Sequence, residues 1–118
     1  MKILGPLKGQ ERSESPWVTL DREYLVIAIS AVPDGEARVM IVTDDGKSVG
    51  WFDSQMFMTS DSSLPPNWTA KIGEGGVIDL APAAWHAPGF WESYFDRDPG
   101  AERTFDAELE LISASSNT

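Results

Sequence analysis

The chain has 118 residues, 42% of them hydrophobic, and it contains no cysteine. This length fits one domain with an ordinary hydrophobic core, and the lack of cysteine excludes disulfides, thiolate nucleophiles and cysteine-ligated zinc. Nineteen acidic against nine basic residues give a formal charge of −10. That charge disfavours binding to nucleic acid or to an anionic membrane, and it favours a basic protein partner.

The apolar segments are short. Gly5 and Pro6 interrupt the N-terminal apolar run before it reaches the length of a signal-peptide core. The longest apolar segment, residues 24–32, is about half of the roughly 20 residues that a membrane-spanning helix needs. We therefore expect a soluble, cytoplasmic protein. Residues 1–16 are predicted to be a mobile lead-in, because the polar stretch 5–16 has no periodicity and is flanked by glycine and proline.

The first part of the domain is predicted to be a sheet. Residues 17–20 are a candidate first short strand, and residues 23–32 form a β-branched strand that is apolar on both faces and hence central. Two further strands follow at 38–43 and 48–53, joined by an Asp-Gly turn at 44–47. These strands are too close in sequence for helical crossovers, so we expect an antiparallel meander.

The remainder of the sheet is less uniform. Residues 54–60 fit either a short strand or one helical turn, and both alternatives stay open. Residues 67–72 and 77–80 flank the glycine-rich segment 73–76, which is typical of a hairpin. In total we predict about five strands between residues 17 and 80.

Helices are predicted after Pro82. Residues 89–96 place four aromatic side chains on one helical face, and residues 98–112 begin with Asp98 as the N-cap and Pro99 at the first helical position. A strand over 103–112 is the alternative, because apolar and acidic residues also alternate there. The predicted fold is α+β, with the sheet over 17–80, helices over 89–112, a single domain over 17–112 and a frayed tail over 113–118. One face of the second helix is predicted to be buried: Ala101, Phe105, Leu109 and Ile112.

The sequence has few residues suited to catalysis. His86 is the only histidine, so a site with two or three histidine ligands is excluded, and no nucleophile-elbow or phosphate-loop motif is present. We predict no catalytic residue, no metal and no cofactor, and we expect His86 to bond to the backbone. The aromatic residues around it are predicted to cover one face of the sheet: Trp85, Phe90, Trp91, Tyr94 and Phe95. The alternative is that part of this cluster stays exposed as a partner-binding patch.

Several segments together suggest a family. "YLVIAIS", "VTDDGKSVGWFD", "WTAKIGEGGVIDLAPAAW" and "GFWESYFD" resemble small acidic bacterial proteins of unassigned function, some of which resemble immunity proteins of polymorphic-toxin systems. The resemblance covers about residues 17–110 and consists of scaffold residues. It implies a cytosolic protein that binds a toxin domain and blocks it.

Three hypotheses for function follow. The favoured one is a non-enzymatic immunity protein that contacts a basic partner, such as a toxin domain, through acidic residues of the second helix: Glu102, Asp106, Glu108 and Glu110. The first alternative is a small-ligand or regulatory module whose pocket is formed by Trp85, His86 and Trp91. The second is an enzyme that uses a pair of buried carboxylates, Asp79 with Glu92. The oligomeric state stays open.

Overall fold

The computed structural model describes residues 1–5, 17–19 and 21–115. These residues form an antiparallel sheet followed by two helices, which confirms the predicted α+β class. The strands are β1 Lys2–Gly5, β2 Arg22–Ala31, β3 Ala37–Val42, β4 Val49–Asp53, β5 Met58–Asp61, β6 Trp68–Ile72 and β7 Ile78–Pro82. The helices are α1 Phe90–Phe95 and α2 Pro99–Ser115, with 3₁₀ segments at Ser54–Met56, Glu74–Gly76 and Ala83–His86.

Strand β2 organises the sheet. It pairs with β3 along one edge, while its other edge pairs first with β1 and then with β7. The strands therefore run in the order β4-β3-β2-β1-β5, and a branch leads from β2 through β7 to β6. Val26, Ile27 and Ala28 in the middle of β2 are buried, so the prediction of a central strand covered on both sides is confirmed.

The prediction of a mobile lead-in over 1–16 is wrong for its first residues. Lys2–Gly5 form β1, which is hydrogen-bonded to β2 on one side and to β5 on the other. Ile3 is buried. Pairing on both edges stabilises β1, which is too short to be recognised from the sequence pattern alone. The other lead-in residues, 6–16, lie outside the described part of the chain.

The strand count also differs from the prediction. The described residues form seven strands instead of about five, because β1 is added and the ambiguous segment 54–60 supplies both a 3₁₀ turn and the start of β5. Residues 17–19 are not a strand, and residue 20 lies outside the described part. The meander β2-β3-β4 and the hairpin β6-β7 are confirmed.

Two hydrophobic cores lie against the sheet. The first packs strand residues against a 3₁₀ turn, with the Phe57 ring meeting Tyr24 and Phe52 edge to face, each at 6.4 Å between ring centroids. Strands β4 and β5 lie at the two ends of the sheet order, yet only residues 54–57 connect them, so the sheet curls around this first core. The second core lies under the helices and is centred on Trp85 and Phe105, whose rings stack at 4.8 Å.

Helix α2 closes the second core as the sequence predicts. The Asp98 carboxylate accepts a hydrogen bond from the Ala101 amide at 2.9 Å, which is the expected N-cap, and Pro99 is the first helical residue. Phe105 and Ile112 are buried, so the alternative strand is wrong. The frayed tail predicted over 113–118 is wrong for 113–115, because α2 continues to Ser115, and residues 116–118 lie outside the described part.

Candidate functional site

Helix α2 exposes one line of carboxylates. Glu102, Asp106 and Glu110 follow one another at intervals of one helical turn, and all three are exposed. We call these three residues the acidic stripe. Among the described residues, none of their side chains forms a hydrogen bond or an ion pair, and the two ion pairs found there involve Lys2 and Arg22 instead. The stripe is therefore a row of three carboxylates that form no ion pair within the described part of the chain.

Glu108 does not belong to this surface. It is half-buried on another side of α2, where its Oε2 accepts a hydrogen bond from Asn67 Nδ2 at 2.7 Å. The same amide nitrogen also donates to the backbone carbonyl of Glu108 at 3.2 Å. Glu108 follows Asp106 by two positions, which is about 200° around the helix axis. The two side chains therefore lie on different faces of α2. The structure therefore does not bring Glu108 together with the other three predicted partner-binding residues, and its carboxylate fastens α2 to the loop before β6.

Two aromatic residues of α1 lie beside the stripe. Burial raises the pKa of Tyr94, and the negative charges of Asp106 and Glu102 raise it further. Its neighbour Phe95 is 58% exposed, so the prediction that Phe95 helps to cover the sheet is wrong. Instead, Tyr94, Phe95 and Glu102 line one side of an open groove of about 600 Å³, whose other side is the turn between β3 and β4. Lys47 and Arg97 also line this groove, so the exposed Phe95 ring lies among groups of both charge signs.

A second concave site lies on the sheet face next to α1. It is a cleft of about 310 Å³, and it brings together all three residues of the predicted ligand region, Trp85, His86 and Trp91. Trp51 of β4 also lines the cleft, and it is 38% exposed. We call this site the aromatic cleft. The predicted role of the aromatic segment as core is thus correct for Trp85 and Phe90, which are buried, while half-buried Trp91 also faces the cleft.

The cleft also contains charged groups. Asp79 of β7 and Glu92 of α1 line it, and neither carboxylate has a hydrogen bond or ion pair among the described residues. Lys71 of β6 lies opposite Asp79 in the register, but its Nζ donates to the backbone carbonyl of His86 at 3.1 Å. The cleft lining therefore carries two carboxylates and one ammonium group, which keeps its positive charge while it donates to the His86 carbonyl.

His86 is held by the backbone, as expected from the sequence. Its Nε2 lies 3.1 Å from the carbonyl oxygen of Thr69, so the ring nitrogen donates there and is occupied. Asp79 is half-buried and Glu92 is exposed, so the buried carboxylate pair that the enzyme hypothesis requires is not formed. At the floor, Trp85 is 2% exposed, and its indole Nε1 has no acceptor among the described residues. Such a buried donor without an acceptor costs about 1–3 kcal/mol.

A separate polar cluster joins the segment before β2 to the turn after β3. Asp44 accepts hydrogen bonds from the hydroxyls of Tyr24, at 2.5 Å, and Thr19, at 2.6 Å, and it forms an ion pair with Arg22 at 3.2 Å. Burial acts to raise the pKa of Asp44, but the hydrogen bonds and the Arg22 charge outweigh it and lower the pKa. Burial and the bond to Asp44 raise the pKa of Tyr24. All these groups bond to one another, so we assign this cluster to the fold.

Sequence reasoning missed two residues of the aromatic cleft, Trp51 and Lys71. A signal existed for Lys71, because the predicted hairpin around 73–76 sets strand 67–72 against strand 77–80 and so brings Lys71 near Asp79. No local signal existed for Trp51, since β4 reaches the cleft only through the order of the whole sheet. Helical geometry also offered a signal against Glu108, whose angular position differs from that of the acidic stripe.

The fold and these two surfaces define an α+β protein with an antiparallel sheet, one exposed acidic helix face and one aromatic cleft. A scan against protein-family models, a search of curated proteins and a search of solved structures each gave no match. Within residues 1–5, 17–19 and 21–115, no helix combines the length and apolar character needed to cross a membrane. Within the same residues, no group of three or more histidine, cysteine, aspartate or glutamate side chains is placed to hold a metal ion.

Proposed function

We propose that the chain is a non-enzymatic, cytoplasmic binding protein that recognises a basic protein partner through the acidic stripe. In its most specific form, the proposal is that the partner is a toxin domain and that the chain neutralises it by occlusion. The observation that carries the proposal is the set of three exposed carboxylates on α2, none of which has an ion-pair partner among the described residues.

Electrostatics supports this choice of partner. Complementary charge accelerates encounter and rejects partners of the same sign, so the acidic stripe selects a basic surface. A basic nuclease active site binds phosphates, and carboxylates held in a row on a rigid helix can occupy the same positions. With a formal charge of −10, the chain itself is a poor ligand for nucleic acid.

The neighbouring groove supplies an apolar contact. The exposed Phe95 ring borders Glu102, and interfaces combine such aromatic anchors with a polar, charged rim. Helix α2 is fixed from below by Phe105 and Ile112, so the stripe is presented with little loss of conformational entropy on binding. The surface therefore provides both charge selection and a hydrophobic contact on a preorganised element.

A pair of charge-reversal variants tests the proposal. One variant replaces all three residues of the acidic stripe by lysine, and the control replaces Asp34, Glu36 and Glu74, which are exposed carboxylates on turns away from α2. Both carry the same net charge. Tagged wild type and both variants are expressed in the source cell, and co-purified proteins are quantified by mass spectrometry. We expect wild type and control to enrich a basic protein that the stripe variant loses at least about tenfold.

Binding measurements with the purified partner then distinguish the contribution of charge from that of other contacts. We expect the stripe variant to bind it with a slower association rate and a flatter dependence on salt, while the control behaves like wild type. If the partner is a toxin, growth of cells that express it is rescued by wild type and control but not by the stripe variant. An acidic partner, or equal losses for the two variants, would contradict the proposal.

The aromatic cleft supports a second candidate function, recognition of a small ligand. The specific observation is that Trp85, His86 and Trp91, predicted as a ligand region, line one cleft of about 310 Å³ together with Trp51. This volume lies at the lower end of the range of small-molecule sites. Thermal unfolding discriminates the two functions, because a ligand for the cleft raises the melting temperature without any protein partner.

A further inference from the structure

We infer that the aromatic cleft binds a guanidinium group, either of a free arginine-like molecule or of an arginine side chain. This inference rests on the second candidate function, ligand recognition in the cleft, and names the chemistry of its ligand. It does not depend on the acidic stripe.

The first argument is the charge of the walls. The lining carries the carboxylates of Asp79 and Glu92 and one ammonium group, that of Lys71, which also donates to the His86 carbonyl. The cleft therefore has an excess of negative charge and favours a cationic ligand. An anionic ligand would meet two carboxylates and only one cation.

The second argument is the shape and chemistry of the aromatic walls. Trp51 is 38% exposed at an edge strand, and Trp91 is half-buried against Trp85, with 5.5 Å between their ring centroids in an edge-to-face arrangement. Indole rings are the strongest cation–π partners among the aromatic side chains. A guanidinium group is planar and weakly hydrated, so it stacks on an indole while its edge donates to a carboxylate. Compact ammonium ions are more strongly hydrated and exploit this combination less well.

The inference is tested with capped arginine, in which both backbone ends are blocked as amides, and with capped citrulline, its neutral isostere. Binding is followed by the indole N–H resonances of the five tryptophans, assigned with Trp51→Phe and Trp91→Phe variants. We expect capped arginine to shift the Trp51 and Trp91 resonances at concentrations up to about 10 mM, and capped citrulline to shift them much less. Free arginine, run in parallel, identifies the source: tighter binding of the free form indicates a metabolite, and tighter binding of the capped form indicates a residue of a protein. Both results support guanidinium recognition.

Variants locate the binding site. The double variant Asp79→Asn with Glu92→Gln keeps the size of both side chains, and we expect it to weaken capped-arginine binding about tenfold. The matched control, Glu36→Gln with Glu74→Gln, removes the same charge outside the cleft and should change binding by less than about twofold. Reversal of the acidic stripe should also leave this binding unchanged.

The outcomes separate the inference from the function on which it rests. If capped citrulline binds as well as capped arginine, the cleft is a ligand site but the guanidinium inference is wrong. If neither compound moves the Trp51 and Trp91 resonances, the guanidinium inference is overturned, whereas the small-ligand function is tested separately by thermal unfolding with other ligands. If the cleft variant binds capped arginine like wild type, the cation is bound elsewhere and the inference is overturned.

Discussion

Two regions of the molecule use carboxylates in contrasting ways. In the turn between β3 and β4, Asp44 and Asp45 accept hydrogen bonds from neighbouring hydroxyl and amide groups, and both have lowered pKa values. On α2, the carboxylates of the acidic stripe have no such partners among the described residues, and the helix is held by the aromatic groups on its other side. Acidic composition alone does not distinguish these roles. The number of hydrogen-bond donors around each carboxylate does: it gives Asp44 and Asp45 a role in the stability of the turn, and it gives the stripe carboxylates no such role.

The largest expected effect comes from the buried side of α2. Phe105 is 2% exposed and stacks on Trp85 and Tyr94, with ring centroids 4.8 and 4.3 Å apart. We expect Phe105→Ala to lower the free energy of unfolding by about 3–5 kcal/mol, because it removes a large apolar surface and leaves a cavity. Urea denaturation followed by circular dichroism measures this loss.

The same experiment on a neighbouring residue serves as the control. Glu102→Gln changes an exposed residue of the same helix, and we expect it to alter the free energy of unfolding by less than about 0.5 kcal/mol. A small loss for Phe105→Ala would mean that α2 is not anchored by its aromatic side, and the contrast between the two regions would then have no basis.

The next largest effect is expected in the turn region. Asp44→Asn leaves one oxygen acceptor where the carboxylate has two, so either Thr19 or Tyr24 loses its partner. We expect a loss of about 1–3 kcal/mol in the free energy of unfolding. Asp106→Asn, the same substitution within the acidic stripe, should cost less than about 0.5 kcal/mol. Equal losses for the two variants would remove the distinction between structural and uncommitted carboxylates.

These two regions also differ in how far the sequence predicts them. The helix cap at Asp98, the buried face of α2 and the hairpin turn after β3 follow from local patterns, because capping, periodicity and an Asp-Gly pair each act within a few residues. Gly46, at φ 73°, supplies the backbone conformation that this turn needs. The hydrogen-bond network of Asp44 is not local, since it links residues about 25 positions apart, and no pattern in the sequence indicates it.

Long-range strand pairing explains the other features that could not be predicted from the sequence. Strand β1 is only four residues long, and it exists because β2 and β5 offer hydrogen bonds on both of its edges. The aromatic cleft draws its walls from β4, β6, β7 and α1, so its composition depends on the order of strands in the sheet. Trp85, His86 and Trp91 were predictable as a group because they are close in sequence, whereas Trp51 was not.

The lowered pKa values of the two carboxylates in the turn region also predict that stability depends on pH. Hydrogen bonds from the Ser48 hydroxyl, the Ser48 amide and the Lys47 amide lower the pKa of Asp45, and the pKa of Asp44 is lowered as well. A carboxylate whose pKa is lower in the folded state stabilises the fold above its ordinary pKa of 3.8, and this contribution is lost as the pH falls through the folded-state value. We expect the free energy of unfolding to decrease below about pH 4.

Removal of the two titrating groups checks the assignment. The double variant Asp44→Asn with Asp45→Asn should be less stable than wild type at about pH 7, and the difference should shrink as the pH approaches about 2. Urea denaturation at a series of pH values measures both curves. Parallel curves for wild type and the double variant would contradict the assignment. The loss of stability at low pH would then come from other carboxylates, such as Asp61, whose pKa is also lowered.

The smallest expected effect concerns Arg97, which lies in the groove between the turn region and the acidic stripe. It follows the last turn of α1 with φ 63°, a left-handed conformation that favours glycine, while the Asp98 amide bonds back to the Ser93 carbonyl at 3.0 Å. We expect Arg97→Gly to raise the free energy of unfolding by about 0.5–1 kcal/mol, since relief of the backbone strain exceeds the extra entropy of an unfolded glycine. Arg103→Gly, in the interior of α2, should instead lower it by about 1 kcal/mol. If Arg97→Gly destabilises the protein, the extra entropy of the unfolded glycine outweighs the relief of backbone strain, and the left-handed conformation of Arg97 costs less than we expect.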